Sequence, residues 1–293
     1  MGHLRAESAI LIIMHYGALI FPTDYSMHPA ALGPALEERG FESFWVPEHS
    51  HIPASRVSKW PGGSELPQMY YDTLDPFVTL TAAATATSQL KIGTGIALVV
   101  QRDPIHTAKE SASLDVLSDG RFMLGVGAGW NIEEMVDHGT DPERRFGRMR
   151  ESVEAMQAIW RNDVAEYHGN QIDFDAMYSN PKPIQPGGPP IHVGGSYPGA
   201  LRRAVTYGDG WIPIGGRGGA TDLGRQVREA REMCAERDRD PEQFEISYFG
   251  APADADALAD IAAAGFDRAI FSLPSAGAPK LIPRLDDLAG LMS

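Results

Sequence analysis

The sequence predicts an α/β protein whose fold is a single (β/α)8 TIM-like barrel with insertions. Its 293 residues suit one barrel of this kind. Eight short apolar runs alternate with segments of helical periodicity, which is typical of parallel strands joined by helices. No linker or change of composition divides this series, so we expect one closed barrel and not a doubly wound sheet.

Each predicted strand is an apolar run that ends in a polar or glycine-rich loop. The predicted strands cover 16–21, 42–46, 92–99, 121–126, 191–193, 210–214, 244–249 and 268–272. The predicted helices cover 29–39, 75–88, 104–117, 145–161, 198–207, 222–237, 254–264 and 278–288. Asp75 and Pro76 give the second helix a favourable start.

Two long segments are the predicted insertions, the loop 47–74 and the proline-rich region 162–190. Within the second, the alternating stretch EYHGNQIDFD predicts a hairpin that turns at Gly169 and Asn170. Residues 1–13 are predicted to be an N-terminal extension, because the first strand pattern starts only after them. The domain itself is predicted to cover 14–293.

Composition narrows the classes of partner and compartment. The net charge of −14 argues against nucleic acid or an anionic membrane as the main partner. We find no apolar run long enough for a signal peptide or a membrane span. The single cysteine, Cys234, cannot form an intrachain disulfide, so we expect a reducing, cytoplasmic location.

Barrel enzymes carry their chemistry at the carboxyl ends of the strands. The segment after the second predicted strand places Glu48, His49 and His51 there. A carboxylate beside an imidazole can transfer protons near neutral pH. We therefore predict an acid–base role for His49, and for His51 the functional and structural interpretations stay equally open.

The His-x-His pattern also allows a metal site of the amidohydrolase type. Such a site needs further histidines on later strands and an aspartate at the carboxyl end of the last one. Only His192 lies on a later strand, and Asp267 falls at the amino end of the eighth. We therefore predict no metal ligands.

Glycines mark four further strand ends. Gly93 and Gly95 predict a β-bulge or a close backbone approach in the third strand. The run 125–131 is not a dinucleotide fingerprint, because Trp130 stands where the third glycine would be. The Gly194-Gly195-Ser196 loop opens a helix and predicts an anion site. A second open loop, 215–219, carries Arg217.

Taken together, five segments resemble the luciferase-like monooxygenase superfamily, in its branch that depends on the deazaflavin coenzyme F420. These segments are PEHSHIP at 47–53, the stretch 92–134 that contains IGTGIALVV and VGAGWNIEE, RMRESVEAMQAIW at 148–160, PKPIQPGGPPIHVGG at 181–195 and ALRRAVTYGDGWIPI at 200–214. The resemblance runs from Tyr16 to the end of the chain, and the order and spacing of the segments are more specific than any one of them.

The resemblance implies a cofactor site. A non-prolyl cis peptide in the third strand lies under the cofactor ring in this superfamily, and the matching bond here joins Gly95 and Ile96. The loop that contacts the ring matches Gly127, Ala128, Gly129 and Trp130, and the phosphate loop matches Gly194 and Gly195, with Ser196 after them. His49, with Glu48 before it, matches the acid–histidine pair beside the reactive carbon. Some relatives have a carboxylate where this chain has Trp130, which argues against sugar-phosphate oxidation.

The implied activity is hydride transfer between F420 and a small organic substrate. His49 would donate or accept the proton, and the direction of transfer stays open. The main alternative is an FMN-dependent monooxygenase of the same fold, and a third is a barrel that carries a cofactor without catalysis. The resemblance also implies a homodimer.

Overall fold

The computed structural model describes residues 14–63, 65–214 and 223–292. Eight parallel strands close into a barrel in the order β1-β10-β9-β8-β7-β4-β3-β2. Their bounds are β1 His15–Leu19, β2 Ser43–Val46, β3 Lys91–Thr94, β4 Phe122–Val126, β7 Ile191–Gly194, β8 Gly210–Ile212, β9 Glu245–Ala251 and β10 Arg268–Ser272. Strands β5 Val164–His168 and β6 Asp173–Tyr178 form a separate antiparallel hairpin. The predicted barrel is confirmed.

Helices cover the outside of the barrel. They are α1 Pro29–Glu37, α2 Pro76–Ala84, α3 Pro104–Leu117, α4 Ile132–Asp137, α5 Arg145–Arg161, α6 Gly199–Tyr207, α7 Leu223–Ala235, α8 Ala255–Ala263 and α9 Ala278–Ala289, with short 3₁₀ turns at Gln68–Tyr70 and Pro241–Gln243. Asp75 caps α2 by accepting from Val78 N at 3.0 Å, with Pro76 as the first helical residue. This start agrees with the prediction, because a carboxylate satisfies amide groups that the first turn leaves free.

Two apolar layers hold the barrel together, because alternate residues of each strand face opposite sides. The larger layer lies between the strands and the helices. The smaller one fills the barrel interior with side chains from β1, β2, β4, β8 and β10, and Ile96 and Phe249 pack on it. Its buried members are Leu19, Trp45, Met123, Ile212 and Ile270. The interior is therefore a packed floor and leaves the carboxyl end as the place for a ligand.

An ion cluster around a buried arginine closes the amino end of the barrel. The Arg268 side chain is fully buried and donates to both oxygens of Glu42, at 2.8 and 2.9 Å, and to Glu245 Oε2 at 3.0 Å. Burial alone would raise the pKa of Glu42, but the hydrogen bonds and charge of Arg268 outweigh it, so the pKa lies well below its usual range. These groups lie at the end of the barrel away from the carboxyl ends of the strands, where barrel enzymes carry their chemistry, so we assign them a stabilising role.

Several predicted boundaries were wrong. The third strand ends at Thr94 and not at residue 99, because the chain leaves the ladder at Gly95. Helix α4 was not predicted, since its six residues are too few for a periodic pattern. The first strand ends at Leu19 and the sixth at Ile212, two residues early in both cases. The predicted hairpin is confirmed, and Gly169 N donates to Ile172 O across its loop at 2.8 Å.

The proposed extension, 1–13, lies outside the described residues, and the assignment of 14–293 to one domain stays a prediction. No helix within the described ranges is long and apolar enough to cross a membrane.

Candidate active site

The third strand carries the predicted bulge at its carboxyl end. Gly93 pairs with Met123 of β4, and Ala97 pairs with Val126. Between these pairs β3 advances by one residue more than β4, which is the definition of a bulge. The peptide bond between Gly95 and Ile96 is cis, as the resemblance implied. Ala97 N donates to Gly125 O at 2.7 Å and rejoins the ladder.

Glycines on two neighbouring strands make room for Ile96. A Cβ atom on Gly127 would lie 2.2 Å from Ile96 Cδ1, and one on Gly194 would lie 2.7 Å from Ile96 Cγ2. Any other residue at these positions would have to displace the Ile96 side chain. The ends of β3, β4 and β7 therefore converge on Ile96 through close backbone approach.

Glu48 anchors the segment that follows the bulge. Its buried carboxylate accepts from Leu98 N at 2.6 Å and from Arg102 Nε at 2.7 Å. Arg102 also binds Glu110 at 2.7 Å and Asp75 at 2.9 Å. Burial raises the pKa of Glu48, although the charge of Arg102 opposes the rise. The catalytic role of Glu48 stays a prediction. Its carboxylate contacts Leu98 and Arg102, in the segment that follows β3.

The carboxylate that contacts His49 comes from α4. Glu134 Oε2 lies 2.8 Å from His49 Nδ1, and Glu134 Oε1 accepts from Ser50 N at 3.1 Å. The Glu134 side chain is fully buried, and that of His49 is 6% exposed. Because a carboxylate accepts a hydrogen bond from Nδ1–H, the neutral ring has Nε2 free as an acceptor. The pair holds the orientation of the imidazole and its tautomer.

Aromatic rings surround His49. Its ring centroid lies 5.3 Å from that of Tyr70 and 5.7 Å from that of Trp130. Trp60 packs edge-on against Tyr70 at 5.7 Å, and the Arg56 guanidinium lies 5.7 Å from the Trp130 ring centroid. Rings at these distances form an apolar wall beside a polar group, which is a common character of ligand pockets.

The start of α4 ties down the loop that carries these aromatic residues. Glu133 Oε1 accepts from Val57 N at 2.9 Å and from Ser58 N at 3.1 Å, and Ile132 N donates to Ser58 Oγ at 3.1 Å. The hydrogen bonds from Ser58 and from Val57 N lower the pKa of Glu133 to about 2. Two successive acidic residues of α4 therefore hold the loop and the histidine.

The two other histidines considered in the sequence, His51 and His192, contact residues other than Glu134. His51 Nε2 lies 3.0 Å from Asp137 Oδ2, and the His51 side chain is 40% exposed. His192 is fully buried beside Trp45, at a ring distance of 5.9 Å. Within 14–63, 65–214 and 223–292, no group of three or more His, Cys, Asp or Glu side chains is arranged to hold a metal ion.

The predicted phosphate loop lies between β7 and α6. Gly195 has a φ of +127°, its N–H donates to Ile212 O at 3.1 Å, and its carbonyl accepts from Trp211 Nε1 at 3.0 Å. The amide of Gly195 is thus already used inside the barrel, and Ser196 is the exposed residue of the loop. Arg217 and its loop lie outside the described residues.

Sequence reasoning missed two residues of this site. Glu134 is one, and its signal was the pair of acidic residues in the first turn of a short helix. Asn131 is the other: it is 1% exposed, and neither its side-chain nitrogen nor its oxygen has a partner among the described residues. A buried amide without partners offers a donor and an acceptor to a bound molecule.

Comparisons with known proteins agree with this architecture. The chain is 36% identical over 285 residues to an uncharacterized protein of Mycobacterium tuberculosis, covering 96% of this chain and 99% of the relative. It is 32% identical over 201 residues to an F420-dependent glucose-6-phosphate dehydrogenase of Nocardia farcinica, covering 59% of this chain and 58% of the relative.

Solved structures share the fold. A monooxygenase from Streptomyces bottropensis has a TM-score of 0.76 at 19% identity, covering 95% of this chain and 96% of its own. An F420-dependent secondary alcohol dehydrogenase in complex with an F420-acetone adduct has a TM-score of 0.75 at 17% identity, covering 95% and 98%. A Baeyer–Villiger monooxygenase of Pseudomonas putida in complex with FMN has a TM-score of 0.61 at 22% identity, covering 80% and 67%.

The profile of the luciferase-like monooxygenase family matches residues 28–278. This range contains the bulge, the His49–Glu134 pair and the glycine loops. The chain therefore belongs to the luciferase-like monooxygenase family.

Proposed function

We propose that this protein is an oxidoreductase that transfers a hydride between coenzyme F420 and a small organic substrate, with His49 as the proton donor or acceptor. The observation that carries the proposal is the buried His49–Glu134 hydrogen bond of 2.8 Å, set among aromatic side chains. F420 dependence of relatives such as the glucose-6-phosphate dehydrogenase of Nocardia farcinica supports the choice of cofactor.

The residues present fit a flat ring system. Ile96 and the bulge offer an apolar surface, and Gly127 and Gly194 leave no side chain of their own against it. The loop Gly127, Ala128, Gly129 and Trp130 would hold one side of the ring, and the unpartnered amide of Asn131 could bind its polar edge. The loop from Gly194 to Ser196 would hold the phosphate. When bound, F420 would donate two electrons as a hydride from its reduced form or accept them in its oxidised form, and the reduced form reacts sluggishly with oxygen.

The protein's own part is to orient the substrate and move one proton. In a reduction, His49 would give the proton on Nε2 to the oxygen or carbon that becomes negative. In an oxidation, the same nitrogen would take the proton of an alcohol. Glu134 stabilises the imidazolium in either direction, because it accepts from Nδ1–H. Tyr70 and Trp130 exclude water beside the ring of His49.

The second candidate is an FMN-dependent monooxygenase. It is favoured by the family name and by the structural likeness to the FMN-bound Baeyer–Villiger enzyme. Titration of the apoprotein with each cofactor, followed by fluorescence quenching, separates the two. We expect saturable binding of F420 at micromolar concentrations and much weaker binding of FMN. Tight FMN binding, or FMN that copurifies, would favour the FMN-dependent monooxygenase over the F420-dependent enzyme.

Turnover tests the assigned role of His49. With a panel of small alcohols, ketones and activated alkenes, the absorbance of oxidised F420 reports hydride transfer in both directions. We expect His49→Ala to lower turnover by about a hundredfold or more while it leaves the Kd for F420 nearly unchanged. His51→Ala is the matched control, since His51 binds Asp137 outside this pair. If both variants lowered turnover equally, His49 would not be the proton donor or acceptor. If the wild-type protein bound F420 but turned over none of the substrates, a barrel that carries the cofactor without catalysis would be favoured.

A further inference from the structure

Two arginines converge on one phenylalanine at the start of α5. The guanidinium carbon of Arg203, on α6, lies 4.1 Å from the ring centroid of Phe146, and that of Arg145 lies 4.6 Å from the same centroid. Phe146 is 41% exposed, so the group reaches the surface. Stacking on an aromatic ring holds a guanidinium in place and leaves its N–H groups free to bind an anion.

The pair has no acidic partner among the described residues, although the chain is strongly acidic. Arg203 Nε is buried and has no hydrogen-bond partner within the part of the chain that the structure describes. In the same described ranges, the one hydrogen bond from the Arg145 side chain goes to the carbonyl of Pro142. By contrast, the neighbouring Arg150 pairs with Glu154, at 3.6 Å. A half-buried, unpaired guanidinium beside a second positive charge is costly, so its charge is available to a ligand.

Burial and the charge of Arg145 lower the pKa of Arg203, although Tyr207 opposes the shift. The Tyr207 hydroxyl, one helical turn after Arg203, is also buried, and it has no hydrogen-bond partner among the described residues. Arg203 and Arg145 therefore offer two cations in one place to an oxyanion, and the Tyr207 hydroxyl near Arg203 is a further donor.

The position of the pair is at the carboxyl end of the barrel. A Cβ atom on Gly199 would lie 3.4 Å from Arg203 Nη1, so this guanidinium reaches back to the first residue of α6. That residue follows the Gly194-Gly195-Ser196 loop by only a few positions. On the other side, Arg148 Nε donates to Val100 O at 2.9 Å and joins the first turns of α5 to the segment after the bulge.

We propose that Arg203 and Arg145 bind the anionic tail of the cofactor, next to the loop that would hold its phosphate. The inference rests on the proposed function. F420 carries a phosphate followed by a chain of glutamates, whereas FMN ends at a single phosphate. Guanidinium groups bind both carboxylate and phosphate through charge-assisted hydrogen bonds. The pair would thus help the protein to select the deazaflavin by its tail, independently of the ring.

The test compares the affinities of full-length protein for three deazaflavins by fluorescence titration. They are F420 with its glutamates, the form with phosphate but no glutamate, and the riboside that lacks both. The variants are Arg203→Gln and Arg145→Gln. Arg202→Gln is the matched control, because Arg202 is an exposed neighbour on the same helix and its loss changes the net charge equally.

We expect each test variant to weaken binding of glutamate-bearing F420 by about tenfold and to leave the riboside unaffected, with no change in the control. The form that carries phosphate alone shows which group the arginines contact. If the variants also bind this form more weakly, the contact is to the phosphate, and if they bind it as tightly as the wild-type protein, the contact is to the glutamates. Unchanged affinity for the full cofactor in both test variants, or an equal loss for the riboside, would overturn the inference alone. If the wild-type protein binds none of the three, the proposed function fails and the inference fails with it.

Discussion

The hydrogen bond between His49 and Glu134 can be tested without knowledge of the substrate. The perturbation is a double-mutant cycle of His49→Ala, Glu134→Gln and their combination. Both side chains are almost fully buried, and the two atoms are 2.8 Å apart. A hydrogen bond to a charged group contributes about 1.5–3 kcal/mol, so we expect a coupling free energy of that size.

The cycle is needed because Glu134 has a second contact. Its other oxygen accepts from Ser50 N at 3.1 Å, and glutamine would weaken this bond too. That loss occurs in both the single and the double variant and therefore cancels from the coupling term. The glutamine is close to isosteric, and the cavity that His49→Ala leaves is present in both the single and the double variant, so it also cancels from the coupling term.

The assay is urea unfolding, followed by tryptophan fluorescence and by circular dichroism. Coincidence of the two transitions is the test that justifies a two-state fit. A coupling free energy below about 0.5 kcal/mol would refute a strong buried pair, because distant residues couple that weakly. With a substrate in hand, the same bond predicts a loss of about 10- to 150-fold in kcat for Glu134→Gln, with the Kd for F420 unchanged.

Three further changes test the surrounding structure. Gly127→Ala places a methyl group against Ile96 and should weaken cofactor binding by about tenfold in fluorescence titration, whereas Gly277→Ala, whose added Cβ meets nothing closer than 3.7 Å, should not. Glu42→Gln should lower the free energy of unfolding by about 3 kcal/mol at pH 7. Because the pKa of Glu42 is lowered on folding, the wild-type protein has this stabilisation above the ordinary pKa of 4.5 and loses it as the pH falls below that value. Below pH 4.5, the urea midpoint of the variant should therefore depend less on pH than that of the wild-type protein. Glu133→Gln should release the loop at Val57 and speed its cleavage in limited proteolysis, and unchanged cleavage would contradict the tie.

Local patterns were enough to predict the barrel. Apolar runs separated by helical periodicity placed all eight barrel strands, and Asp75 placed the start of a helix to the residue. Strand ends were less predictable, because the apolar run continues from Thr94 to Val100 while the ladder breaks at Gly95. The break depends on how the backbone pairs with β4, and the pattern of apolar side chains carries no information about that pairing.

The partner of the histidine could not be predicted from its neighbours in the chain. Glu48 precedes His49 directly, but adjacent residues of an extended segment face opposite sides. Glu48 therefore binds Leu98 on one side, and His49 meets Glu134 on the other. The contact joins residues 85 positions apart, and it exists only because a six-residue helix places its first turn over the end of β2. Two carboxylates thus fix the two faces of one short segment, and a change in either one should alter the position of His49.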